Sequence, residues 1–130
     1  MRIYVASKFE NQDKVQEIYK KLRKNGYKII YDWTKHEPIK PYKENPEKAR
    51  DLSEKEVVAV KDADVFILLT TEKVDRGMHV EFGTAIISNL LTGKPRIFVL
   101  GEFNDRSTFY FHSTVNRVGT IEDVIEELRK

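Results

Sequence analysis

The sequence predicts an α/β fold, an open parallel sheet of about five strands sandwiched between two layers of helices. Three observations carry the expectation. Short β-rich runs alternate with amphipathic helical segments from one end of the chain to the other. Val65-Phe66-Ile67-Leu68-Leu69 is apolar without interruption, as a central strand buried on both faces requires. The 130 residues suffice for one domain, 1–130, and leave little room for a second.

Taken in order, Ile3-Tyr4-Val5-Ala6 forms the first strand. Val15, Ile18, Tyr19 and Leu22 then recur at helical spacing and make one apolar stripe. Asn25-Gly26 ends that helix, and Tyr27 to Tyr31 is the second strand. A polar loop with Pro38, Pro41 and Pro46 is too rich in proline for helix. Asn45-Pro46 has the form of an N-cap and first helical position, opening a helix to about Asp62 with Ala49, Leu52, Ala59, Val60 and Ala63 inward. After the central strand a helix spans Met78 to Leu91 and stops at Gly93, and Arg96 to Leu100 is the fourth strand. The stretch from Gly101 to Thr114 yields no regular element, and Val115 to Val118 makes a short fifth strand. Thr120 with Asp123 forms a variant capping box ahead of the last helical stripe, Ile121, Val124, Ile125 and Leu128. The strand order expected of this flavodoxin-like or Rossmann-like arrangement is 2-1-3-4-5.

Composition narrows the function. Lys+Arg 23 against Asp+Glu 21 leaves a formal charge of +2, so neither a nucleic acid polymer nor a membrane is expected as partner. The 40% hydrophobic fraction supports a packed core, and the absence of cysteine removes disulfides, thiolate zinc sites and a thiol nucleophile. No apolar run approaches the ~20 residues of a membrane span, and the N-terminus lacks the pattern of a signal peptide. A cytoplasmic protein is expected. The strand–helix junctions carry neither GxGxxG nor GxxxxGK[ST], and GxSxG is missing. A receiver domain would end its third strand in Asp, where this chain has Thr70 and Thr71. His36, His79 and His112 are widely spaced, so no metal site is expected.

The informative residues are acids. Glu56 lies four residues after Leu52 and four before Val60, hence on the inward stripe of its helix. A carboxylate facing a core costs several kcal/mol unless paired or hydrated. A rim position or a lysine partner would be the structural explanation. The second feature is Asp75-Arg76-Gly77-Met78-His79-Val80-Glu81-Phe82-Gly83, which follows the central strand and opens a helix. Ligands of open α/β sheets bind at the carboxyl ends of the strands, where this segment falls. Glu81 is expected in the first helical turn, where the macrodipole favours its ionised form, as a glycosyl-transfer nucleophile needs. An acid that simply favours a helix start is the structural alternative. Gly83 costs its helix about 1 kcal/mol relative to Ala, consistent with close approach of a ligand or another helix.

These residues resemble the nucleoside 2-deoxyribosyltransferase family, including relatives that hydrolyse deoxynucleoside 5′-monophosphates. The similarity runs from Ile3-Tyr4-Val5-Ala6-Ser7 through Lys61-Asp62-Ala63-Asp64 and is sharpest at Gly77-Met78-His79-Val80-Glu81-Phe82-Gly83. The resemblance implies Glu81 as nucleophile, Asp75 as the acid that bonds and protonates the base, and Tyr4 as the residue that lines the sugar pocket and orients Glu81. Glu56 stands where the family has Asp, facing the sugar. Ser7, Asp32, Trp33, Gly77 and His79 are the further substrate-binding candidates. Ser7, Lys8 and Arg76 are available to a 5′-phosphate. No cofactor is implied. Residues from a neighbouring subunit often complete the family's pocket, and His112 to Asn116 is the candidate segment here. A homodimer or higher homo-oligomer is also expected from the helix with Val80, Phe82, Ala85, Ile86, Ile87, Leu90 and Leu91, apolar on nearly all sides. Cover by the 101–114 segment is the alternative. The competing functions are an N-glycoside hydrolase of another nucleotide and a non-catalytic nucleotide-binding module.

Overall fold

A computed structural model describes residues 1–73 and 76–130. Its centre is a parallel sheet of 5 strands: β1 (Arg2–Ala6), β2 (Lys28–Ile29), β3 (Val65–Leu69), β4 (Arg96–Leu100) and β5 (Val115–Val118). They lie in the order β2-β1-β3-β4-β5, as expected. Tyr4 stands beside Phe66 and Phe66 beside Ile97 in the register of the three inner strands. Ile3 to Ala6, Val65 to Leu68 and Ile97 to Val99 are wholly buried, each large side chain contributing about 1.5–3 kcal/mol of transfer free energy. One sheet face is covered by α1 (Gln12–Lys24) and α4 (Ile121–Leu128), which touch each other, and the opposite face by α2 (Pro46–Asp62) against α3 (Arg76–Thr92).

The apolar stripe of α1 is buried as expected at Val15, Ile18, Tyr19 and Leu22. The capping box of α4 is complete: Asp123 N donates to Thr120 Oγ1 and Thr120 N to Asp123 Oδ2, both at 3.2 Å. Three local expectations change. The second strand pairs only over Lys28–Ile29, because the chain turns away once Ile30 N has bonded to Ile3 O. Asp32 then accepts from Thr34 N at 3.0 Å and nucleates a 3₁₀ turn, Trp33–Lys35, a local bond that competes with a longer ladder. Asn45 does not cap α2 with its side chain; its amide donates to Ile39 O and Pro41 O at 3.1 and 3.2 Å and braces the proline-rich loop instead. In α2 only Ala59 and Val60 are buried, while Ala49 and Leu52 of the expected inward stripe are partly exposed and Ala63 is buried just beyond the helix.

The 101–114 segment contains one 3₁₀ turn, Thr108–Phe111, whose Tyr110 is buried against Phe82 and His79 of α3. It therefore covers part of α3, while Val80, Ile87, Leu90 and Leu91 remain 62%, 53%, 58% and 77% exposed. Gly83 shares that exposure, and nothing lies within 4 Å of where its Cβ would stand, so no neighbour in the protomer uses its small size. At the end of β4, Gly101 adopts φ +122, and a Cβ there would come within 2.5 Å of Thr70 Oγ1.

Candidate active site

Tyr4 of β1, Glu56 of α2 and Glu81 of α3 are brought near one another. Tyr4 is completely buried on β1, its ring stacked on Phe66 of β3 at 5.9 Å. Phe66 continues the stack to Phe82 of α3 at 6.4 Å, which fixes the helix carrying Glu81 against the strand carrying Tyr4. Burial, then the charges of Glu81 and Glu56, hold the Tyr4 phenol well above its usual range, and its hydroxyl interacts with the Glu81 side chain. The phenol thus stays protonated, with the charges of Glu81 and Glu56 close by.

Glu81 is half-buried and does not occupy the position expected for it along the helix. Because α3 begins at Arg76, its first turn holds no acid and Glu81 comes later. The macrodipole fades within one turn, so the neighbouring Tyr4, rather than the helix end, is the electrostatic partner in view. Glu56 of α2 faces the same region. Burial alone pushes its carboxyl up from 4.5 to about 7.

Glu56 also lines a cavity of ≈ 300 Å³ enclosed by Trp33, Phe9, Leu52 and the proline-rich loop with Tyr42. The Trp33 ring is anchored by Nε1 donating to Val5 O at 2.6 Å and lies 6.4 Å from Phe9, tilted 45°. Asp32 supports this wall through Thr34 and faces Lys35 at 3.9 Å. Beneath it Tyr19 has its phenol raised by burial and by the charge of Asp32.

The other candidates are placed differently. Ser7 is buried and donates to Leu69 O at 3.1 Å while accepting from Asn11 at 3.2 Å, so it clips the end of β1 to β3. Gly77 is exposed in the first turn of α3. His79 stacks on Tyr110 at 5.7 Å, with its Nε2 3.2 Å from the Tyr110 hydroxyl. It belongs to the aromatic packing of α3 rather than to the cavity lining. Asp75 lies outside the described residues. Sequence reasoning missed Phe9, Glu10, Glu37 and Tyr42 of the cavity, since two aromatic residues within polar loops carry no periodic signal. Among the described residues no group of three or more metal-ligating side chains is present, and no helix is long and apolar enough to cross a membrane.

The family profile described as nucleoside 2-deoxyribosyltransferase matches residues 3–108, from the first strand to the 3₁₀ turn before β5. The chain belongs to the nucleoside 2-deoxyribosyltransferase family. Its fold is also that of a structure of the Clostridium botulinum CMP N-glycosidase BcmB, with TM-score 0.66 and 18% identity over 99% of this chain and 98% of that one. Among curated proteins no match to the chain was found. Membership of the nucleoside 2-deoxyribosyltransferase family associates the chain with cleavage or transfer at N-glycosidic bonds of nucleosides or nucleotides.

Proposed function

We propose that this protein cleaves the N-glycosidic bond of 2′-deoxynucleosides or their 5′-monophosphates through a deoxyribosyl ester on Glu81. The observation that carries the reading is Glu81 beside the buried phenol of Tyr4, with Glu56, whose charge also acts on Tyr4, lining a cavity with aromatic walls. Glu81 attacks C1′ as the base departs, passing through an oxocarbenium-like state. Tyr4, kept neutral, holds the attacking carboxylate by its hydroxyl. Asp75, by its match to the family acid, protonates the leaving base nitrogen. A second base then takes the sugar, or water does. Trp33 and Phe9 offer the base its apolar surface, and Glu56 stands on the sugar side.

The working unit in this proposal is a homodimer or higher homo-oligomer joined through the outward face of α3. Exposed Val80, Ile87, Leu90 and Leu91 form an uncharged surface on the helix that carries Glu81, and such a surface is stabilised by burial.

The test is chromatographic. Wild type and Glu81→Gln are incubated with the 2′-deoxynucleosides and their 5′-monophosphates, with and without a different free base. Wild type is expected to release free base or form a new deoxynucleoside, and Glu81→Gln to lose more than about 10³-fold of that rate. Folded wild type that turns over no deoxy substrate overturns the proposal, and tight binding without turnover promotes the binding module.

A further inference from the structure

The cavity lined by Glu56, whose charge also reaches Tyr4, has an electrostatic character that an ordinary nucleobase does not require. Three aromatic rings line it, those of Phe9, Trp33 and Tyr42, together with three carboxyl groups, Glu10, Glu37 and Glu56. Among the described residues none of these three acids is in an ion pair. The lining holds one lysine, Lys40, and its ammonium already lies over the Tyr42 ring, 5.9 Å from the centroid. Ring faces attract cations through their quadrupole, and more strongly when the cation leaves water. Unpaired acids beside those faces add an attraction that a neutral base cannot use. They also repel an anion, so the same lining disfavours seating a phosphate against the rings.

We infer that the cavity selects a 2′-deoxynucleoside whose purine carries an alkyl group on N7 and hence a positive charge. This rests on the proposed function, with Glu81 as nucleophile. The chemistry of such a substrate balances without an acid. An oxygen of Glu81 bonds to C1′ as the C1′–N9 bond breaks, and its electron pair enters the imidazole ring and cancels the positive charge. The alkylated base leaves neutral. Water then bonds to C1′, the ester C–O bond breaks, Glu81 returns as a carboxylate and one proton passes to solvent. Entry of the cation also favours ionisation of Glu56, whose carboxyl is otherwise held partly protonated by burial.

Trp33 is the one tryptophan of the chain and stands in the cavity wall, so its fluorescence reports occupancy. The experiment titrates 7-methyl-2′-deoxyguanosine and 2′-deoxyguanosine into full-length Glu81→Gln, in mildly acidic buffer where the methylated base is cationic. It repeats both titrations with Glu10→Gln and Glu37→Gln added. The methylated nucleoside is expected to bind about tenfold more tightly, equivalent to roughly 1.4 kcal/mol. In the variant lacking both acids that ratio is expected to fall towards one. Equal affinities, or a preference for the neutral nucleoside, overturn the inference. A preference unchanged by removing both acids overturns it too, because the cause would lie elsewhere. Turnover of 2′-deoxyguanosine by wild type distinguishes these failures from that of the proposed function, which falls if no deoxynucleoside of either charge is cleaved.

Discussion

Glu56 stands in an environment far from that of an ordinary surface acid. Its carboxyl holds a proton up to about 7 in the folded protein, against 4.5 for an unperturbed glutamate. Between those values the folded state binds more protons than the unfolded chain, so this residue makes stability decline as pH rises through the window. Glu56→Gln is expected to remove that decline and to stabilise the protein above neutrality by about 1 kcal/mol, after allowance for solvent at the cavity mouth. Urea midpoints measured from acid to neutral pH check this, and identical pH dependences in both proteins would contradict it. The buried acid was legible as a carboxylate on an apolar stripe. Its neighbours were not, because Phe9 and Tyr42 reach the cavity from separate loops whose path no periodicity encodes. The contact of His79 with Tyr110, 31 residues later in sequence, was not legible either, because no local spacing encodes it.

Among the elements, the junction after β4 is tightly constrained. Gly101 combines a positive φ with a Cβ position 2.5 Å from Thr70 Oγ1, and Thr70 is itself held to Leu100 O through both its N and its Oγ1. Gly101→Ala therefore meets backbone strain and a clash against an anchored side chain, a combination worth about 2–4 kcal/mol of lost stability. Thermal or urea unfolding measures it, and a loss below about half a kcal/mol would show that the turn relaxes freely. Strand order, the central strand and the α4 cap were all legible, since each rests on an uninterrupted apolar run or a fixed local spacing. The short β2 was not. Tyr27 to Tyr31 has strand composition throughout, but Asp32 turns the chain, and which local bond wins is decided by Thr34 and the Trp33 anchor.

At the scale of the molecule, the proposed assembly depends on the bare flank of α3. Ile87→Glu places a charge amid Val80, Leu90 and Leu91, all exposed in the protomer. In a homodimer through this face the substitution is expected to weaken association at least a hundredfold, about 2.7 kcal/mol, while leaving the protomer folded. Sedimentation at graded concentrations reads the change. Wild type that stays monomeric at concentrations sustaining full activity would remove the dimer from the mechanism. The two margins of the sheet bear on the same question. β2 pairs over only Lys28–Ile29, and β5 displays Asn116 and Arg117, with the Arg117 guanidinium 4.0 Å from the centroid of the Phe111 ring. An edge that short and an edge that polar offer poor templates for strand addition. Such edges guard the molecule against growing sideways into an open ribbon of sheets, and in the proposed assembly self-recognition falls to a helical face that can close on itself once and stop.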